Sequence, residues 1–278
     1  MAKGWRIFLG VAVVLLIGSL ALWFFSYRLL TKSLPKTDGT LRVSGTQAAV
    51  DIYRDEYGVP HIFAQNAHDL FFAEGYVTAQ DRLWQMDFNR RVASGRLSEI
   101  LGRSTLESDK FLRLWGFRRI AEQIVPTLSP ESLAALQAYT DGVNAFIQGN
   151  QDRLPVEFSV LHYQPEPWRV EDSVALVRLM AWKLSLSWYV DLVLNELVNK
   201  LGERKAREVF PDFPADAPTI IPPTSPRFWS ATEGFLQNGQ AVLDLLGSCG
   251  ARLGSNSWVV SGKKTACGSP LLANDPHL

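Results

Sequence analysis

Between Arg6 and Arg28 the chain runs for 21 residues without a charge, "IFLGVAVVLLIGSLALWFFSY". As a helix this stretch spans roughly 31 Å, close to the hydrocarbon thickness of a bilayer. Trp23, Phe24, Phe25 and Tyr27 gather at one end, as side chains of the membrane interface do. A buried core helix would normally carry a polar face, and none is present here. Residues 1–30 therefore read as an uncleaved membrane anchor. A cleavable signal peptide is the rival reading, although its apolar region is usually shorter and ends in small residues rather than aromatics. Lys3 and Arg6 precede the run while Arg28, Lys32 and Lys36 follow it, so flanking charge does not set an orientation.

Beyond a polar linker over residues 31–47 the pattern changes period twice. Residues 41–66 alternate apolar and polar and carry turn residues at Asp55–Gly58, which predicts a hairpin or two short strands. From Ala67 the apolar positions Phe72, Tyr76, Ala79, Leu83 and Met86 recur at helical spacing. A second helix is expected to start at Ser129, a capping residue followed by Pro130, and to stop at Gly149. Its apolar face is Leu133, Leu136, Val143 and Ile147. A third helical stretch runs from Glu171 to Leu201, with a break expected at Ser185–Ser187. Six prolines between 211 and 227 exclude both a helix and a central strand there. Residues 231–254 then read as a short helix and a small-residue spacer. Trp258–Val260 and Leu271–Ala273, separated by a Gly/Lys turn, predict a closing hairpin.

Composition excludes more than it identifies. With 278 residues, 47% hydrophobic and 20% charged, the chain is ordinary globular material. Its formal charge is zero, so nothing electrostatic points to nucleic acid as a partner. Cys249 and Cys267 are the two cysteines, and they either pair outside the cytoplasm or remain free thiols. No CxxC, HExxH, phosphate-binding glycine loop or GxSxG elbow occurs. Four histidines are present. His61 is expected in a turn, and His68 as a cap or surface residue before a helix. Asp55-Glu56 and Glu171-Asp172 read as solvated charges at a turn and a helix start.

Ser255, in "LGSNSWVV", is either a loop serine or a nucleophile. Small and polar neighbours let the backbone approach another group closely. An aromatic-rich strand follows at once, and a small-residue segment precedes it, as a cleavable loop requires.

Two long stretches carry a family resemblance. "RDEYGVPHIFAQNAHDLFFAEGYVTAQDRLWQMDFNRRVASGRLSEILG" resembles the start of the α chain in the penicillin acylase family. "LGSNSWVVSGKKTACGSPLLANDPHL" resembles the junction at which that family's precursor is cut and its β chain begins. The resemblance implies an α+β fold of the N-terminal-nucleophile hydrolase αββα type. It divides the chain into an α-chain region over 48–230, a spacer over 231–254 and the start of a β chain over 255–278. Gly254-Ser255 becomes the scissile bond and Ser255 the catalytic nucleophile. A freed α-amino group, with an ordinary pKa of roughly 7.7–8.0, then replaces histidine as the base.

By the same resemblance His277 and Leu278 are substrate-binding residues, one beside the amide and one lining the acyl pocket. "SWYVDLVLNEL" resembles the calcium-binding segment, with Asp191 at the ligand position where many relatives have Glu. Asp191 is equally readable as a helix-surface charge. The expected partners are a small N-acyl substrate, the α and β chains of one precursor, and the membrane. The expected location is the inner membrane, with the body in the periplasm. The function is expected to be hydrolysis of a linear amide, with acyl-homoserine-lactone acylase or an inactive tethered remnant as alternatives. Because the family's β chain normally runs several hundred residues further, with the oxyanion donors in that part, the chain alone is expected to be inactive.

Overall fold

The computed structural model describes residues 2–185, 187–209, 229–246 and 256–275. In chain order the helices are α1 (Ala2–Thr31), α2 (Ala67–Ser94), α3 (Ser98–Leu101), α4 (Leu106–Trp115), α5 (Phe117–Ile124), α6 (Pro130–Gly149), α7 (Val156–Val160), α8 (Val170–Leu184), α9 (Ser187–Leu201), α10 (Glu203–Val209) and α11 (Trp229–Leu245). The strands are β1 (Asp51–Arg54), β2 (Pro60–Phe63), β3 (Asn256–Val260) and β4 (Leu271–Asp275). They form two separate antiparallel pairs, β1–β2 and β3–β4. Mixed α+β content is therefore present, but the described residues contain no stacked sheets. Prolines 211–226 fall outside the described residues.

The chain divides into two compact units. The first comprises Met1–Val92, Glu99–Leu101 and Arg118–Ala175. In it the side chains of residues 8–25 of α1 are exposed, and Phe8–Thr31 is long and apolar enough to cross a membrane. A helix of that composition is compatible with an anchor or a signal sequence. The β1–β2 turn forms because Asp55 accepts the Tyr57 and Val59 amides, both at 2.9 Å, while Gly58 takes the positive φ of 77°. His61 lies in β2 rather than in a turn, paired across the ladder with Tyr53. Its Nε2 stands 3.2 Å from the Asp55 carboxylate.

Helix α2 buries Phe72, Ala79, Leu83 and Met86 of the predicted face, leaves Tyr76 half-buried, and buries Val77 as well. Its start is capped by Asn66, whose Oδ1 accepts the Asp69 amide at 2.8 Å; His68 lies in the first turn and bonds Asp69 instead. Helix α6 begins as expected, with Ser129 accepting the Ser132 amide and Pro130 at the first helical position. It crosses α2 at backbone contact. A Cβ on Gly75 would overlap the Tyr139 carbonyl, and one on Gly142 would overlap the Phe72 carbonyl.

Three buried carboxylates, Asp69, Asp87 and Asp172, organise the polar interior of this unit. Asp87, 1% exposed, takes Arg90 and Arg91 from the next turn and the Tyr163 hydroxyl at 2.6 Å. Burial and the Asp87 carboxylate push the Tyr163 phenol upward. Asp172 is not a solvated helix-start charge: it is buried, accepts the Arg169 amide and pairs with Arg118 and Arg90. Such pairs are costly to desolvate and act mainly by fixing geometry.

Asp69 is fully enclosed and clamps the incoming chain to α2 by accepting the Gln47 and Ala48 amides, each at 2.8 Å. The Gln47 amide above all holds its carboxyl well below the usual range. A carboxylate depressed in the folded state stabilises the fold fully above its unfolded value of about 3.9. That contribution is lost as the pH falls from there through the folded value. Asp69→Asn is expected to lower the melting temperature at neutral pH and to flatten its decline below pH ~4, as followed by circular dichroism across that range.

The second unit comprises Ala93–Ser98, Gly102–Phe117 and Leu176–Leu278. Helices α4, α9 and α11 pack together in it, and α10 packs on α9. The buried Asp109 of α4 accepts the Leu97 and Ser98 amides and so holds the start of α3. The predicted interruption between α8 and α9 is present, with Ser185 outside both helices.

Candidate active site

The second unit carries the hairpin on which the sequence-derived site depends. Its register pairs Asn256 with Asp275, Ser257 with Asn274, Trp258 with Ala273, Val259 with Leu272 and Val260 with Leu271. The connection is closed by Thr265, whose hydroxyl contacts the Gly262 and Ser269 carbonyls at 3.1 and 2.7 Å. At Gly262 any Cβ would overlap the Gly268 carbonyl, so only glycine fits that crossing. Gly254, Ser255, His277 and Leu278 lie outside the described residues. The residues adjoining them in sequence are described: Asn256 follows Ser255, Asp275 stands two before His277, and these two are register partners. Antiparallel partners have Cα atoms about 4.5–5.5 Å apart. The open end of the hairpin thus brings together the two stretches from which the nucleophile and the amide-binding residue were chosen.

Both faces of this hairpin are uncovered. Trp258, Val259, Leu271 and Leu272 are between 55% and 75% exposed. Alternating strands normally cover one face. Cys267, near the turn, is exposed and free; Cys249 is outside the described residues.

The remaining candidates are placed as follows. Asp191 is exposed on α9 and makes no hydrogen bond or ion pair among the described residues. Calcium takes six to eight oxygens. The described residues contain no group of three carboxylate, histidine or cysteine side chains placed to share a metal. Asp191 thus supplies a suitable hard oxygen ligand, but the described residues by themselves do not make a calcium site. The described histidines belong to the first unit: His61 and His68 bond Asp55 and Asp69, and the His162 ring nitrogen bonds the Val160 carbonyl. None has a serine hydroxyl as a partner among the described residues.

Two features of this unit were not found from the sequence. On α8, Val177, Met180 and Leu184 are exposed at spacings of three and four, while Leu179 and Trp182 are buried. The apolar helix is two-faced, and alternation of large residues on both faces concealed which one would be covered. The second is an aromatic cluster of Phe111, Trp115, Phe117, Trp182, Trp188 and Phe235, with neighbouring ring centroids 4.8–6.4 Å apart. Its residues come from five helices or their ends, so no local period signals it. The Trp115 and Trp182 indole N–H groups are buried without a hydrogen-bond partner among the described residues.

An unpartnered N–H contributes no bond to lose. Trp182→Phe, which keeps one aromatic ring in the cluster, is therefore expected to cost clearly less than truncation to alanine. Trp182→Ala, which empties the centre of the cluster, should cost about 3–5 kcal/mol. Urea denaturation of the two variants separates packing from hydrogen bonding at this position.

The family profile for penicillin amidase matches residues 49–278. The penicillin acylase 2 proenzyme of Pseudomonas sp. (strain SE83) is 35% identical over 254 residues, covering 89% of this chain and 32% of that protein. The acyl-homoserine lactone acylase QuiP of Pseudomonas aeruginosa is 32% identical over 262 residues, covering 88% of this chain and 30% of its own length. The chain thus spans roughly a third of the length of these relatives. Among solved structures, the thermostable penicillin G acylase from Alcaligenes faecalis in tetragonal form superposes with a TM-score of 0.51 at 29% identity. That match covers 64% of this chain and 98% of the other. With a profile match over most of its length and relatives at this identity, the chain belongs to the penicillin amidase family.

Proposed function

We propose that this chain is part of a hydrolase of linear amide bonds that deacylates an N-acyl compound, with Ser255 as its nucleophile after cleavage at Gly254-Ser255. The observation that supports it best is the β3–β4 register, which sets Asn256 beside Asp275 and so gathers the stretches flanking Ser255 and His277. Family membership supports the same reading.

The chemistry uses one hydroxyl twice. The Ser255 Oγ first attacks the Gly254 carbonyl carbon; the peptide C–N bond breaks, giving an ester on Oγ and a free α-amine. Water hydrolyses that ester, leaving a carboxylate on Gly254 and a new N-terminus on Ser255. In turnover the α-amine takes the hydroxyl proton, through a bridging water, as Oγ attacks the substrate amide. The protonated amine returns that proton to the departing substrate amine, and a second water releases the acyl group. His277 positions the amide, and Leu278 contributes to the acyl pocket. The exposed apolar stripe of Val177, Met180 and Leu184 is a further surface suited to an acyl chain. Calcium takes no part in these steps, and Asp191 stands as one proposed ligand of a structural ion.

A second reading, an acyl-homoserine lactone acylase, is favoured by the 32% identity to QuiP. It shares every step and differs in the acyl and amine groups. Helix α1 is proposed as a single-pass inner-membrane anchor with the body in the periplasm. Mass spectrometry of the protein expressed from its natural gene tests the core of the proposal. A polypeptide beginning at Ser255 is expected, and an intact Gly254-Ser255 bond in active enzyme would overturn it.

A further inference from the structure

Helix α1 does not leave the first unit as a free stalk. Its side chains are exposed from Phe8 to Phe25, but Ser26, Leu29 and residues 31–33 are half-buried. Just past its end, the Lys32 Nζ donates to the Ser159 Oγ at 2.8 Å, across 127 residues of sequence. Ser159 belongs to α7, a short helix anchored by the buried Phe158. The turn after α7 is firmly built. His162 adopts a left-handed φ of 55°, its ring bonds the Val160 carbonyl at 2.9 Å, and the Tyr163 amide returns to the Phe158 carbonyl. That geometry presents Val160 outward, 62% exposed, and Leu34 beside Lys32 in sequence is 67% exposed.

We infer that the Ser159–His162 turn and residues 32–36 form a contact surface for the bilayer, through which the first unit rests on the membrane crossed by α1. This rests on the anchor reading of α1. A bilayer holding Phe8–Thr31 ends at the level of Thr31, and the Lys32–Ser159 bond places the α7 turn at that level. Val160 and Leu34 then meet the boundary between headgroups and acyl chains. Arg28, in the last turn of α1, and Lys32 and Lys36 just beyond it suit anionic headgroups, with Asp38 the one acidic residue of the adjoining linker. Two apolar side chains would bind a vesicle weakly from solution. Attached to a spanning helix they act at an effective concentration in the millimolar range, where a weak contact is occupied.

The test uses the full chain in nanodiscs of phosphatidylcholine with a minority of phosphatidylglycerol, with Cys249→Ser and Cys267→Ser as background. An environment-sensitive fluorophore is placed at Val160→Cys or, separately, at Leu16→Cys in α1. Both labels are expected to be quenched by doxyl lipids and shielded from aqueous iodide, with the Val160 site quenched most by headgroup-level doxyl. Lys32→Ala should weaken lipid quenching at position 160 and leave it unchanged at position 16. A label at 160 open to iodide and untouched by doxyl lipid, with position 16 in lipid, overturns the contact surface while the anchor stands. Position 16 outside the lipid overturns the anchor and the contact together. Replacing phosphatidylglycerol by phosphatidylcholine should reduce quenching at position 160; no reduction would remove the basic residues from the contact.

Discussion

Ser255→Ala, made in the protein expressed from its natural gene, is expected to leave the Gly254-Ser255 bond uncut and to abolish amidase activity. Both effects have one cause. In the proposed mechanism, removing Oγ deletes the atom that would attack the Gly254 carbonyl, so the α-amine proposed as base would not be released. For a nucleophile acting as a unit with its base, loss of the hydroxyl costs on the order of 10⁶ in turnover. The measurements are the intact mass and the rate of acyl release from a chromogenic N-acyl substrate. Ser255→Cys separates the two roles: a thiol can still cut the precursor, so a processed variant with depressed turnover is expected. A cleaved Ser255→Ala protein would show that another group attacks Gly254.

The second large effect lies in the first unit, far from any chemistry. Gly75→Val is expected to prevent α2 and α6 from approaching as they do, because the new side chain meets the Tyr139 carbonyl, a backbone atom that cannot rotate away. Overpacking of this kind costs typically 1–3 kcal/mol, and backbone overlap puts the loss at or above the upper end. For a domain of 150–250 residues ~3 kcal/mol corresponds to a fall of roughly 6–12 °C in melting temperature. Gly142→Val, which meets the Phe72 carbonyl from the facing helix, should behave alike. The two together should cost less than their sum, since the first already separates the helices. Gly149→Ala is the control. Its Cβ would meet nothing, so a change of no more than about 1 kcal/mol is expected, toward greater stability. Thermal melts of the three variants distinguish helix packing from helix propensity.

Local signals were legible wherever the cause of a structure lies within a few residues. The Ser129–Pro130 start of α6, the α8–α9 break, the Asp55–Gly58 turn and the apolar face of α2 all follow from short-range sterics or from one helical period. Helices α3, α4 and α5 went unread. The face of α4 points into the cluster of Phe111, Trp115 and Phe235, whose members are brought together only by packing. Charge was read least well. Asp172 looks solvated in "VEDSV", yet Arg118 and Arg90 arrive from other helices and allow its burial. His61 looked like a turn residue beside Pro60, but pairing with Tyr53 makes it part of a strand.

By itself, the sequence determined the family through its two long stretches, the candidate nucleophile Ser255, the apolar run of α1 and the ends of the capped helices. These depend on residue identity and on interactions within a turn or two, which the order of residues specifies directly. Only the tertiary structure decided that Asn256 stands opposite Asp275, that Lys32 reaches Ser159, and that Gly75 and Gly142 let two helices touch backbone to backbone. Those facts join residues between 19 and 127 positions apart. No local period encodes such pairings, because they form only when burial of the whole unit offsets the entropy of closing the intervening chain.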